Sequence, residues 1–303
     1  MANARALDKR RKSIRNIKKI TRTMELIATA RFKKAMDRAS AATDYTKRIT
    51  SLVADLAQAG LEVSHPLLES RDSNQSCTVL TISANRGLCG GYNGNVIRAA
   101  IGRREEMQQE FGSVRTEVVG KRGNSGFRFR GIEVDESFVD DEGVSVIEDD
   151  PEFATIDKIA DRYLREFAAG ELDRLDVAYT RFISSSRQEA VVETLLPLGE
   201  LEGMDSEAEA TDDSDSVSLY EFLPDARSIL DEVVPTSFKV KLFKCFLDAA
   251  VSEHISRMVA MKNATENANE MIKDLSRTYN RARQSQITGE IMEVIGGVEA
   301  LEG

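Results

Sequence analysis

Residues that interrupt helices are confined to the middle of this 303-residue chain. All five prolines lie between Pro66 and Pro235, no glycine precedes Gly60, and none lies between Gly203 and Gly289. Glycine and proline are the residues least compatible with a helix interior. This distribution predicts two long helical arms that flank a segment of shorter elements.

Charge is distributed unevenly along similar boundaries. Residues 1–48 carry 15 Lys and Arg against 4 Asp and Glu, residues 236–303 carry 9 of each, and residues 49–235 carry 17 against 38. A basic arm is attracted to nucleic acid, to an anionic membrane or to an acidic protein groove. The basic runs at 10–12 and 18–19 lack neighbouring aromatics for base stacking. An acidic protein partner is therefore favoured over nucleic acid.

The N-terminal arm, residues 1–60, has apolar residues at steps of three and four, which place one stripe along a single side of a helix. About 57 helical residues make a rod about 85 Å long, and such a rod buries its stripe only against a partner. The predicted stripe consists of Ile14, Ile17, Ile20, Met24, Ile27, Ala28, Phe32, Ala35, Ala39, Ala42, Ile49, Leu52 or Val53, and Leu56.

The C-terminal arm, residues 236–303, supplies that partner. A spacing that averages 3.5 residues winds two helices into a coiled coil. Because the chain leaves one arm and returns by the other, the pairing is predicted to be antiparallel, with Lys273 pointing to solvent. The predicted seam positions are Met258, Met261, Thr265, Ala268, Ile272, Leu275, Tyr279 and Ala282.

The middle of the chain alternates between strand-like and helix-like segments. Strands are predicted at Cys77–Ala84, Thr116–Lys121, Leu175–Ser184 and Gln188–Leu196, and helices at Asn95–Glu110 and Asp157–Ala169. Such alternation indicates a small Rossmann-like α/β domain over residues 77–198. The predicted fold is thus α-rich, an antiparallel two-helix coiled coil with an inserted α/β domain.

Three shorter segments complete the predicted organisation. Residues 61–76 are predicted to be a linker, and residues 199–218 an acidic, solvated loop. Residues 219–235 are predicted to be a connector in which a short helix ends at Pro235.

The glycine-rich stretch 85–95, which follows a predicted strand, invites comparison with a phosphate-binding loop. Its glycines do not have the spacing G-x-G-x-x-G, and the chain has no G-x-x-x-x-G-K-[ST]. A tight turn that caps the following helix is favoured, with Cys89 as a small buried thiol. No catalytic, cofactor or metal site is predicted, and no apolar run approaches the ~20 residues of a membrane span.

Three stretches, taken in order along the chain, resemble one protein family. They are Ile14–Ala28 with its continuation to Ala35, Asn85–Gly91 (NRGLCGG), and Arg257–Thr265 followed by Tyr279–Glu290. The family is the γ subunit of F-type ATP synthases of the bacterial type.

The resemblance implies a rotor shaft that couples ion flow through a membrane ring to ATP synthesis or hydrolysis, without being catalytic itself. The implied partners are the α and β subunits of the catalytic ring, the ε subunit and the membrane c-ring, with no cofactor and no nucleic acid. The implied location is the cytoplasmic face of the bacterial inner membrane, with the membrane contacted only through the complex.

The resemblance also implies roles for particular residues. Contact with the catalytic β subunits is expected for Met24, Arg283, Gln284 and Thr288. Arg257 is expected to stabilise the shaft near Met24 and Glu290, together with the seam residues Ile272 and Leu275. Contact between the foot and the c-ring or ε subunit is expected for Arg86, Gly87, Tyr220 and Glu221.

Two other classes of protein stay open on the sequence. A coiled-coil adaptor would share the arms but would need no α/β domain. A Rossmann-like enzyme would use the α/β domain and would bind a nucleotide by itself.

Overall fold

The computed structural model describes residues 4–58, 66–68, 75–138, 146–147, 149–198 and 226–302. The predicted linker 61–76 lies largely outside these ranges. The predicted loop 199–218, Tyr220 and Glu221 lie wholly outside them.

Five helices and five strands form in the described ranges. The helices are α1 (Ala4–Gln58), α2 (Tyr92–Glu110), α3 (Lys121–Phe129), α4 (Phe153–Ala169) and α5 (Ala226–Glu302). The strands are β1 (Ser76–Ile82), β2 (Ser113–Val119), β3 (Glu136–Ser137), β4 (Arg174–Ser184) and β5 (Arg187–Leu196).

The chain separates into two compact units. Residues 1–30 and 257–303 form one, called here the two-helix unit, and residues 31–256 form the other, called here the α/β unit. The sequence placed the ends of the arms at 60 and 236, whereas the compact units meet at 30/31 and 256/257. The C-terminal half of α1 and the N-terminal part of α5 therefore belong to the α/β unit.

The two helices of the two-helix unit run antiparallel. Thr21 of α1 lies beside Thr265 of α5, and Arg11, ten residues earlier, lies over the ring of Tyr279, fourteen residues later. Contacts that move towards the start of one helix as they move towards the end of the other define an antiparallel pair. The predicted antiparallel pairing is confirmed.

The α/β unit is built on one five-stranded sheet with strand order β3-β2-β1-β4-β5. The first four strands are mutually parallel, and β5 pairs antiparallel with β4 through a tight turn. Alternate residues of β1 face opposite cores: Leu80 and Ile82 pack with α4 and α5, while Cys77 and Val79 pack with α2. Helices on both faces of a mostly parallel sheet make this a doubly wound α/β fold.

Helix α3 was missed in the sequence because its two glycines suggest a turn. A Cβ atom on Gly123 would lie 2.4 Å from the Ser83 hydroxyl, and one on Gly126 would lie 2.5 Å from the Ile97 side chain. The glycines therefore permit close packing against neighbouring elements instead of ending the helix. Strand β3 is only two residues long, too short for a pattern to show it.

The prediction that a helix ends at Pro235 is wrong, because α5 continues through it. Proline removes one backbone hydrogen bond and costs about 3 kcal/mol in a helix interior. Val234 and Phe238, on either side of the proline, are almost completely buried in the core. Burial of a large apolar side chain is worth about 1.5–3 kcal/mol, so two such residues offset the cost.

None of the helices in the described ranges is both long enough and apolar enough to cross a membrane.

Candidate functional site

The seam of the two-helix unit follows heptad spacing on both helices. On α5 every position predicted from Met258 to Ala282 is buried or half-buried, and Lys273 between them is exposed. On α1 the corresponding positions are Leu7, Arg11, Ile14, Lys18, Thr21, Glu25 and Ala28. The heptad pattern predicted for the C-terminal arm is confirmed.

Small side chains occupy the most buried part of this seam. Ala28 is 1% exposed and Ala268 is 4% exposed. The hydroxyl oxygens of Thr21 and Thr265 lie 2.8 Å apart, and each also lies within hydrogen-bonding distance of a carbonyl in its own helix. Small residues let two backbones approach closely, so the seam is narrow and tightly fitted.

The predicted stripe on α1 mixes two surfaces. Ile17, Ile20 and Ile27 are 45%, 60% and 51% exposed, so they do not lie in the seam as predicted. They recur at steps of three and seven, with Met24, which is half-buried, completing the pattern. Since the seam uses Thr21 and small residues instead, these isoleucines form a separate apolar stripe on the outside of α1.

A second uncovered apolar surface lies near the end of α5. Within the described chain, its residues recur mainly at steps of three and four and are between 42% and 67% exposed: Ile287, Ile291, Val294, Ile295 and Val298. Exposed apolar stripes of this kind mark surfaces that a partner covers.

The other residues predicted for the two-helix unit fall into two groups. Arg257 is 7% exposed, and Ile272 and Leu275 are half-buried. The remainder lie on the exposed end of α5: Arg283, Gln284, Thr288 and Glu290. The family resemblance implied that Arg257 stabilises the shaft near Glu290, but these two residues are 33 residues apart on one continuous helix. At ~1.5 Å per residue they are about 50 Å apart, so that expectation is wrong.

The glycine-rich stretch before α2 forms a tight turn at the carboxyl end of β1. The Asn93 side chain accepts a hydrogen bond from the Ala84 backbone, 2.9 Å away, and donates to the sulfur of Cys89, 3.1 Å away. Leu88 at the tip and Gly90 have positive φ angles of 65° and 58°. These hydrogen bonds of the Asn93 side chain stabilise the turn from within. The predicted helix cap is not formed by a side chain, because Gly91 precedes α2.

Three cations of α1 meet two carboxylates beside this turn. Arg31 lies 2.9 Å from Asp149, Lys34 lies 2.6 Å from Asp150, and Arg38 also pairs with Asp150. Arg38 donates a further hydrogen bond to the Pro151 carbonyl at 2.7 Å. Part of the basic charge of α1 is thus neutralised within the α/β unit, and the sequence analysis did not identify Asp149 and Asp150 as its partners.

The predicted foot residues Arg86 and Gly87 lie in the same region. The Arg86 guanidinium is 3.8 Å from Asp149, and Gly87 lies beside the guanidinium of Arg122. Arg86 is largely exposed, with 71% of its side chain accessible, so a partner could still reach it.

Ionisable groups also lie buried between α5 and the β4–β5 hairpin. Burial raises the pKa of Asp248 to about 6, although Lys244 and Arg181 act against this shift. Burial lowers the pKa of Lys241, with Glu193 acting in the opposite direction. No cluster of His, Cys, Asp or Glu in the described ranges could hold a metal ion.

The chain combines a helix pair that has uncovered apolar stripes with a doubly wound α/β unit. These features are typical of a subunit that binds other proteins. A family model described as ATP synthase matches residues 3–301. The ATP synthase gamma chain of Rhodopirellula baltica is 62% identical over 303 residues, covering all of both chains. That of Leptospira biflexa is 37% identical over 301 residues, covering 99% of this chain and all of the relative. This chain belongs to the ATP synthase gamma chain family.

Solved structures show the same fold. The rotor of the Euglena gracilis mitochondrial ATP synthase has a TM-score of 0.60 at 16% identity, covering 94% of this chain and 98% of that chain. The central stalk and c-ring structure from Tetrahymena thermophila contains a chain with a TM-score of 0.55 at 18% identity, covering 81% of this chain and 99% of that one.

Proposed function

We propose that this chain is the central rotor shaft of an F-type ATP synthase, turning within a catalytic ring of α and β subunits. It would couple ion flow through a membrane ring to ATP synthesis or hydrolysis at sites on other subunits. Its place would be peripheral, at the cytoplasmic face of the bacterial inner membrane.

The observation that carries this proposal is the uncovered apolar surface of the two-helix unit. Ile17, Ile20 and Ile27 on α1 and the stripe from Ile287 to Val298 on α5 are exposed outside a seam that is already filled. The side chains of both stripes are aliphatic, so they form no directional hydrogen bonds with a partner. A shaft that turns against its sleeve needs such a surface, because specific anchors would hold it in one position.

The exposure of particular residues supports their proposed contacts. Met24 lies next to the exposed stripe of α1, and Arg283, Gln284 and Thr288 are all exposed on α5. We assign these four to contact with the β subunits and Arg257 to the support of the helix pair. In the α/β unit we assign contact with the c-ring or ε subunit to Arg86 and Gly87, and on the sequence alone to Tyr220 and Glu221.

A non-catalytic role is supported by the site geometry. The turn before α2 is occupied by its own side chains, and Cys89 is 1% exposed. Burial raises the pKa of Cys77 to about 12 and that of Cys245 well above its ordinary value, which disfavours reactive thiolates.

Co-expression with the α and β subunits of the same organism tests the proposal. The chain should co-purify with both, and its complex should hydrolyse ATP. Aspartates at Ile291 and Ile295 should weaken the association, because they place two carboxylates on the apolar stripe. Aspartates at Thr278 and Asn280, exposed positions on the same helix, add the same charge and should leave it intact. Equal loss in both variants, or no association of the unmodified chain, would count against the rotor role.

A further inference from the structure

We propose that the outer face of α3 is a contact site for an anionic phospholipid surface. The inference rests on the proposed function, which brings the chain close to a membrane. It goes beyond the expectation from the sequence, in which the membrane is contacted only through other subunits.

Helix α3 has one buried and one solvent-facing side. Phe127 and Gly123 are buried, with Phe127 packed in the core shared with α2. Residues three, four and seven positions apart share a helix face, which places Arg122, Ser125 and Phe129 together on the outside. All three are exposed in the structure.

Phe129 is the most exposed large apolar residue in the described chain, at 89%, against 67% for the next, Val294. Among the described residues from 119 to 138, no other large apolar side chain is exposed. A protein-binding hot spot is normally surrounded by contacts that exclude water. A single aromatic that projects among charged residues suits the lipid headgroup region, where its ring can be buried while its neighbours stay hydrated.

Four cations lie on this helix or directly after it. Lys121, Arg122, Arg128 and Arg130 are exposed, and residues 121–132 contain no acidic residue. None of the four forms an ion pair with a residue in the described ranges, although Arg130 donates to the Gly126 carbonyl of its own helix. Their charge is therefore available to an external anion.

The net charge of the whole chain opposes binding to an anionic membrane. The formal net charge is −10, so an anionic membrane repels the molecule as a whole. A local basic patch with a projecting aromatic can still approach, because each cation near the surface adds electrostatic attraction. Contact with fluid lipid is weak and exchanges quickly, which suits a part that rotates.

The absence of tryptophan from the sequence allows a direct test on the full-length chain. Phe129→Trp introduces a single fluorophore, whose emission should shift to the blue on addition of vesicles containing phosphatidylglycerol. It should not shift with purely phosphatidylcholine vesicles. The control is Phe153→Trp, because Phe153 is 45% exposed at the start of α4, on the other face of the sheet. This control should show no shift with either vesicle.

Charge reversal tests the cations separately. Arg122→Glu with Arg128→Glu should lower binding to the anionic vesicles by at least about tenfold. Lys158→Glu with Arg165→Glu changes the net charge equally, at exposed positions of α4. This second pair should lower binding by less than about threefold. Raising the salt to about 1 M should abolish binding of the unmodified chain.

Several results would overturn the inference. They are an unshifted Phe129→Trp emission, equal shifts with neutral and anionic vesicles, equal losses from the two charge reversals, or binding to a single-stranded oligonucleotide in preference to vesicles. Because these assays contain no other subunit, they can fail while co-purification with α and β succeeds. The lipid inference would then fall and the rotor proposal would stand.

Discussion

Enlarging Ala28 should force the two helices of the seam apart. Ala28 is 1% exposed, and the seam around it is made of small residues, so a phenylalanine there has no free space to occupy. Overpacking of a well-packed site costs about 1–3 kcal/mol. The matched control is Ile27→Phe, because Ile27 is the adjacent residue and is 51% exposed. An exposed substitution of this kind is worth less than about 0.5 kcal/mol.

Amide hydrogen exchange in the isolated chain resolves the effect within the two-helix unit. If exchange follows opening of the helix pair, a loss of about 1–3 kcal/mol raises exchange rates about 5- to 150-fold in α1 before residue 30 and in α5 after residue 257. Ile27→Phe should change these rates by less than about threefold. The β1 and β4 amides of the α/β unit should change little in either variant.

The result that refutes this reasoning is equally specific. If Ile27→Phe raised exchange as much as Ala28→Phe, or more, the seam would contain Ile27, as the spacing of apolar residues first suggested. The outer stripe on α1 would then not exist as a free surface.

Three further predictions concern individual polar groups. Thr265→Val should destabilise the helix pair by about 1 kcal/mol, and combining it with Thr21→Val should cost less than the sum of the two, as thermal unfolding of all four chains would show. Since burial raises the pKa of Asp248 from 3.8 to about 6, its stabilising contribution is present below pH 3.8 and is lost as pH rises through about 6. Asp248→Asn should therefore flatten the stability profile across that window and raise the free energy of unfolding at pH 7 by about 3 kcal/mol, measured by urea titration. Asp150→Asn should cost less than about 1 kcal/mol, because its contact with Arg38 is partly exposed, and this loss should vanish in about 1 M salt.

Much of the architecture could be predicted because it depends on periodicity. The predicted strand Leu175–Ser184 is β4 to within one residue, and the predicted helix Asp157–Ala169 ends where α4 ends. The heptad on α5 was visible because small and apolar residues recur along one side of that helix segment at steps of three and four.

The N-terminal arm shows where periodicity is insufficient. Ile20 and Thr21 are adjacent, and hydrophobicity favours Ile20 for the seam, yet Thr21 is 9% exposed and Ile20 is 60% exposed. Close approach of two backbones selects small side chains, and a sequence alone does not show how closely the helices approach. An exposed isoleucine on such a helix therefore has the same sequence spacing as a core residue.

Helix α3 and the contacts of Asp149 and Asp150 with the cations of α1 were not predicted, for different reasons. In α3, Gly123 and Gly126 resemble helix breakers because the atoms that a Cβ would meet belong to residues distant in sequence. Asp149 lies 118 residues from its partner Arg31, and nothing in either local pattern connects them.

Direct observation of rotation tests the central claim. The three native thiols, Cys77, Cys89 and Cys245, are buried, so Ser185→Cys on the exposed β4–β5 turn provides one reactive site for a bead. In a complex with α and β subunits fixed to a surface, ATP should drive the bead in one direction. Sustained ATP hydrolysis with a stationary or randomly fluctuating bead would contradict the account, since this chain would then be bound to the catalytic ring without being its rotor.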